Sequence, residues 1–241
     1  MSPNPPSFIA HIRDEGYHPR SNKHSNALAD AIVADLLRAS SDLAKAAASG
    51  SLVYDLNFTI VAGTSDWNVD LVLGAPPPET VPPEADSRIL RTTPSTVQVA
   101  VEIKTVMTEH RKAIKNRKRD FEAHHEHVHR YSNRTIAAGV LVVNMADTFM
   151  SPLRPEVTHH KAPAKLVEYC IAQMRSVTER RGTVGEGLEA KCVIVVSVDN
   201  QSLSAARYIT DRPAPSVGDP LHYDAFIQSV ASQYQQRFLA S

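Results

Sequence analysis

Between Val97 and Lys104 the chain alternates with a period of two. Val97, Val99, Val101 and Ile103 form one apolar face, and Gln98, Ala100, Glu102 and Lys104 form the other. A segment this apolar has to be a strand inside a sheet, so the fold must supply partners on both sides. Glu102 and Lys104 then point the same way, about 6 to 7 Å apart along the chain. Burying either charge without a partner would cost several kcal/mol. A buried-type strand has no structural need for such a pair, and the pair marks a candidate site.

The flanking segments predict an α/β domain. A helix is expected from Ser21, running through Asn26 to Leu37 toward Ala48 and stopped by Gly50. A strand over Leu52 to Ala62, a turn at Gly63-Thr64-Ser65 and a second strand over Trp67 to Leu73 read as a hairpin. On the second strand Trp67, Val69, Leu71 and Leu73 share one face, and Asp66, Asn68 and Asp70 share the other. Residues 75–95 carry Pro76, Pro77, Pro78, Pro82, Pro83 and Pro94 with Glu79, Glu84 and Asp86, which makes a poor helix or strand and a good surface insertion.

After Lys104 a long helix is expected from Thr108 to Tyr131, with Met107, Ile114, Phe121 and Val128 as its apolar stripe. Ile136 to Asn144 is apolar enough for a strand covered on both faces. Pro152 and Pro155 mark a loop, Ala164 to Arg180 a helix, and Gly182, Gly185 and Gly187 a turn. A strand over Cys192 to Val198 and a helix over Asp219 to Leu239 complete the chain. The expected organisation is an N-terminal arm over 1–20, a core over 21–145 and a C-terminal extension of the same domain over 146–241.

Twenty-six basic residues balance 26 acidic ones, so net charge names no partner. Cys170 and Cys192 lie in apolar segments without metal-ligand spacing and read as reduced and buried. Met1 to Gly16 has no apolar run of signal-peptide length, and no stretch approaches a membrane span. These features predict a soluble, cytoplasmic protein with no membrane partner.

The order helix, strand, strand, strand, helix, strand puts Asp70 and Glu102 on central, adjacent strands whose carboxylates can meet at one edge of the sheet. Two such oxygens would bind Mg2+, which keeps several waters for a substrate phosphate. The backbone carbonyl of Ile103 is a natural further ligand. Lys104 would stand beside metal-bound water, positioned to orient the nucleophile or to stabilise charge on phosphorus. The implied reaction is phosphodiester hydrolysis.

In this element order, and in Asp70, Glu102 and Lys104, residues 21–145 resemble the PD-(D/E)XK nuclease superfamily, the fold of many restriction endonucleases. The resemblance implies an αβββαβ core with a central mixed sheet flanked by helices. It also implies metal ligation by Asp70 and Glu102, a catalytic role for Lys104, and Mg2+ as cofactor with Mn2+ as a substitute. Many members add an acid from the first helix, for which Asp30 is the first choice and Asp35 the second. Val69 stands where the name-giving proline would be, and the insertion lengthens the interval from Asp70 to Glu102. The expected partner is DNA, and cutting two antiparallel strands with one site per chain predicts a homodimer.

Six bases, Arg111, Lys112, Lys115, Arg117, Lys118 and Arg119, fall within nine positions of the following helix, as contact with backbone phosphates would require. The alternative to cleavage is a nucleic-acid-binding module of the same fold that no longer cuts. His125-Glu126-His127-Val128-His129 also matches the H-E-x-x-H pattern of zinc peptidases. The basic turns before it, Arg130 directly after it and the absence of a following glycine turn with a third histidine argue against that use.

Overall fold

The computed structural model describes residues 4–82 and 88–239. Among the described residues six α-helices, α1 (Pro6–Glu15), α2 (Lys23–Ala39), α3 (Ser41–Ala48), α4 (His110–Tyr131), α5 (Pro163–Arg175) and α6 (Tyr223–Tyr234), flank a sheet. Its strands are β1 (Val53–Ala62), β2 (Ser65–Ala75), β3 (Leu90–Arg91), β4 (Thr96–Val106), β5 (Ile136–Asn144), β8 (Ala190–Ser197) and β9 (Arg207–Tyr208). The short strands β6 (Thr148–Met150) and β7 (Val157–His159) pair separately.

The fold is α/β, with a seven-stranded mixed sheet in the order β3-β1-β2-β4-β5-β8-β9. β1 and β2 form an antiparallel hairpin and β2 runs antiparallel to β4, whereas β4, β5 and β8 are mutually parallel. β8 and β9, in the C-terminal segment, thus extend the sheet. Every residue of β5 is buried, because helices cover both of its faces.

On one face Ile12 of α1, Leu28 and Ile32 of α2 and Phe226 and Val230 of α6 pack on Leu71, Val101 and Val140. On the other, Ile114, Phe121 and Val128 of α4 and Val167 and Met174 of α5 pack on Ala100, Leu141 and Val193. The height of α4 over the sheet is set at Gly139, the register partner of Glu102. A Cβ there would lie 2.9 Å from Phe121 Cδ1, so the missing side chain lets the helix settle close above the candidate site. Cys170 and Cys192 are free and buried.

Several expectations need correction. Among the described residues of the segment expected as an arm, 4–20, the chain forms a docked helix. Pro6 opens α1, where a helix tolerates proline best, and Phe8, Ile9 and Ile12 are buried in the core. The single helix expected over 21–48 is two helices. Ser40 is extended and caps α3 by accepting from Leu43 N–H at 3.3 Å, which breaks the run. Within the insertion, Leu90–Arg91 pairs in parallel with Val53 and Tyr54 of β1. Pro83, Glu84 and Asp86 lie outside the described residues. α5 stops at Arg175 and α6 starts at Tyr223, followed by a π-helical turn over Gln235–Leu239. Among the described residues no helix is long and apolar enough to cross a membrane.

The end of the sheet where β5 begins is tied together by one fully buried carboxylate. Glu189 accepts from Arg180 Nη1 (3.2 Å), Arg237 Nη1 (3.0 Å), His129 Nε2 (3.1 Å) and Ala137 N–H (2.8 Å). This joins the chain after α6, the segment before β8, the end of α4 and the start of β5. Replacing Glu189 by alanine leaves two buried guanidinium groups without their shared anion. Denaturant unfolding of Glu189→Ala is expected to show a loss of about 3–5 kcal/mol. A loss below about 1 kcal/mol, typical of an exposed pair, would contradict the role given to this network.

Candidate active site

The ladder between β2 and β4 runs from Ala75 opposite Thr96 to Leu71 opposite Val101, and stops there. Beyond that pair the strands part, and the Asp70 carboxylate enters the fork. Its Oδ2 accepts the Ile103 N–H at 2.7 Å, replacing the backbone acceptor that the departing strand no longer offers. Ser25 of α2 stands beside the same carboxylate. Opposite Asp70 the β1–β2 ladder skips a step at Asn57, whose φ of 54° lies in the left-handed region. Asn57 Nδ2 donates to Asn26 Oδ1 at 2.9 Å, which ties this kink to α2.

Glu102 is 2% exposed and faces α4. Its Oε1 pairs directly with Lys104 Nζ, and its Oε2 has no hydrogen-bond partner. Lys104 Nζ is also 3.9 Å from Asp70 Oδ2, so one ammonium serves two carboxylates. Burial pushes Glu102 up to about 7, with Lys104 opposing the shift and the charge of Asp70 adding to it. Burial likewise raises Asp70, against the pull of Lys104 and the Ile103 N–H. Desolvation works to lower Lys104, yet the two carboxylates outweigh it and the net shift is upward.

His124 of α4 closes the site from above. Its Nε2 donates to Ala100 O at 3.2 Å, which leaves Nδ1 as a lone pair 3.7 Å from Glu102 Oε2. Burial pushes this histidine down to about 3, so it is neutral. One turn earlier, Asp120 adds a negative field that acts on both Glu102 and Lys104. Asp120 holds Arg117 at 2.8 Å, and Arg117 Nε is buried without a partner. On the strand's other face Thr105 Oγ1 bonds Tyr17 Oη, and Asn200 fixes the backbone of Tyr17 through both its N–H (3.0 Å) and its carbonyl (2.8 Å).

The structure therefore brings together Asp70, Glu102, Ile103 and Lys104. It does not bring in the first-helix acids. Asp30 accepts from Tyr54 Oη at 3.1 Å near the edge of the sheet, and Asp35 is buried against Tyr223 Oη at 2.8 Å and paired with Arg38. The helix residue that reaches Asp70 is Ser25.

Five of the six bases lie within an arc of about 120° on the outward side of α4, and Arg117 is the one turned away from it. At about 100° per residue, Arg117 shares the flank of Asp120 and His124, whereas Lys112, Lys115 and Arg119 point outward and are exposed. Arg111 lies over the Tyr169 ring at 5.3 Å, Lys112 pairs with Glu109 at 3.8 Å and Lys118 with Glu122 at 3.7 Å.

The H-E-x-x-H histidines are engaged elsewhere. His125 Nδ1 accepts from Gly187 N–H at 3.4 Å, and His129 bonds Glu189. Among the described residues no three His, Cys, Asp or Glu side chains gather as a metal-holding group. The Asp70–Glu102 fork offers two carboxylates and the Ile103 carbonyl, an all-oxygen set of the kind Mg2+ accepts when water fills the remaining positions. The partnerless Glu102 Oε2 is the atom such a cation would satisfy.

Because Glu102 holds its proton more tightly when folded than at its ordinary value of 4.5, its contribution to stability is complete below about pH 4.5 and disappears as pH rises through about 7. The change is on the order of 3 kcal/mol. Denaturant unfolding across this range is expected to show stability falling with pH in the wild type and a shallower fall in Glu102→Gln. Equal slopes would contradict the assignment. Comparisons with protein-family models, with curated proteins and with solved structures found no match, so a functional reading of this chain rests on the geometry of the fork.

Proposed function

We propose that this chain is a metal-dependent nuclease that hydrolyses DNA phosphodiester bonds at the Asp70–Glu102–Lys104 fork, as the PD-(D/E)XK resemblance implies. The observation that carries the reading is the convergence of a buried carboxylate, Glu102, a half-buried one, Asp70, and one ammonium where β2 and β4 part, with Glu102 Oε2 left without a partner. A buried set of this kind costs several kcal/mol to assemble and contributes little to folding. Such a cost at a strand fork is explained by chemistry done there.

Bound Mg2+ would supply a Lewis acid and lower the pKa of an attacking water. Asp70 and Glu102 would hold the cation, with the Ile103 carbonyl between them in sequence. Asp70 is held by the Ile103 N–H, which fixes its free oxygen. Lys104 exchanges its contact with Glu102 for one to the substrate, where its charge offsets negative charge growing on the phosphoryl oxygens. Arg117, held by Asp120 and partly exposed, offers the outer part of its guanidinium to a neighbouring phosphate. With one fork per chain, cutting both strands of a duplex calls for two copies, and a homodimer belongs to the proposal.

A second reading, a nucleic-acid-binding module that no longer cuts, is favoured by one observation. Lys104 already offsets the charge of both carboxylates, so the fork is held together by the chain alone. Cleavage of supercoiled DNA separates the two. The wild type is expected to nick or linearise it with Mg2+ or Mn2+ and to stop with EDTA, and Glu102→Ala and Lys104→Ala are each expected to be about 100-fold slower or worse. Binding without cutting by all three proteins would favour the second reading and overturn the first.

A further inference from the structure

A separate cleft of about 480 Å3 opens at the N-terminus of α4. Thr108, His110, Arg111 and Lys112 line one wall, and Thr158, His160 and Lys161 line the other. α4 has 22 residues, and no side chain caps its first turn. Its N–H groups and the positive end of its dipole therefore face the cleft. Glu109, the acid on this rim, has its charge offset by Arg154 at 3.3 Å and Lys112 at 3.8 Å.

Two imidazoles distinguish this place from an ordinary helix end. His110 is 2% exposed; its Nε2 donates to Asn144 O at 2.7 Å, and its Nδ1 is buried without a partner. His160 is its counterpart, with Nδ1 donating to Ala146 O at 2.6 Å and Nε2 buried without a partner. The rings meet edge to face, 4.8 Å apart. Burial pushes His110 down, so this ring keeps its one proton on the Asn144 carbonyl and a lone pair at Nδ1, and the unpartnered His160 Nε2 stands beside it.

Lone pairs anchored in this way suit a metal ion, but Arg111, Lys112, Lys161 and the helix dipole all repel one. They attract an anion, and an anion that satisfies the His110 lone pair must itself carry a proton. A phosphodiester has none to give. A phosphate monoester does, because its second pKa is about 6 and it is partly protonated near neutrality.

We infer that the cleft between the α4 N-terminus and the β7–α5 connection is a binding site for a phosphate monoester, such as the terminal phosphate of a nucleic-acid strand. His110 to Arg117 is seven residues, about 10 Å along the helix axis. A strand end seated here therefore lies on the same helix as the candidate active site and fixes the distance from that end to the cut. This last step rests on the proposed nuclease function, whereas phosphate binding does not.

Calorimetric titration of the full chain without added divalent metal tests the inference. The probes are inorganic phosphate and one short single-stranded oligonucleotide bearing a 5′-phosphate, a 3′-phosphate or only hydroxyl ends. A phosphorylated end is expected to tighten binding tenfold or more over hydroxyl ends, with inorganic phosphate competing. Lys161→Glu, an exposed change, and His160→Ala should abolish the preference, while Lys45→Glu and Glu102→Ala should leave it intact. Preference for one end identifies a strand terminus as the source, and equal competition by inorganic phosphate alone identifies a free phosphate. Identical binding of all three oligonucleotides without competition by phosphate overturns the inference. So does binding of Zn2+ that is lost in His160→Ala while phosphate has no effect. Because Glu102→Ala binds as the wild type does if the inference holds, failure of cleavage and failure of phosphate binding are read separately.

Discussion

The hydrogen bond from Ile103 N–H to the Asp70 carboxylate is the contact on which the candidate active site depends. β2 and β4 pair as far as Leu71 and Val101 and then diverge, which leaves a buried strand with a backbone donor and no strand to accept it. A side-chain carboxylate fills the vacancy. In doing so it comes within reach of Lys104, whose neighbour two positions back is Glu102. A sheet that stayed zipped would hold these groups apart on successive pleats, and the fork draws them together.

Holding them there requires a rigid surround. Gly139 beneath Phe121 lets α4 sit low on the sheet, which brings His124 and Asp120 over Glu102. Asn57 kinks β1 opposite Asp70, and the loop carrying Tyr17 is fixed by Asn200 from the far end of the chain. At the other end of the sheet Glu189 gathers Arg180, Arg237 and His129 around one carboxylate. The C-terminal segment therefore does more than widen the sheet. It locks the parallel strands whose neighbours form the fork.

Much of this was legible because strands announce themselves with period two. The alternation through Val99 to Lys104 locates Glu102 and Lys104, and the heptad spacing of Ile114, Phe121 and Val128 gives the buried stripe of α4. The period slips at Asp70, since Val69 packs on the α4 side of the sheet and Leu71 on the other, against the single apolar face expected for Trp67, Val69, Leu71 and Leu73. What depends on docking was not legible. His124 and Asp120 belong to the site because of where Phe121 rests on Gly139, a packing outcome with no local signature. Asp30 and Asp35 were attractive as acids on the right helix, but which turn of α2 passes the fork is set by tertiary packing, and that turn presents Ser25. The helix at Pro6 was hidden by its own prolines, which also favour extended arms. The break at Ser40 had a signal, the Ser40-Ser41-Asp42 run, that alanine-rich flanks concealed.

We propose the fork as a site for a hard divalent cation, formed by Asp70 and Glu102 together. Mn2+ binding followed by electron paramagnetic resonance reads this directly, without needing a substrate. One tightly bound ion per chain in the wild type, lost in both Asp70→Asn and Glu102→Gln while circular dichroism shows both variants folded, is the predicted result. No bound ion in the wild type, or an ion that both variants retain, would contradict it.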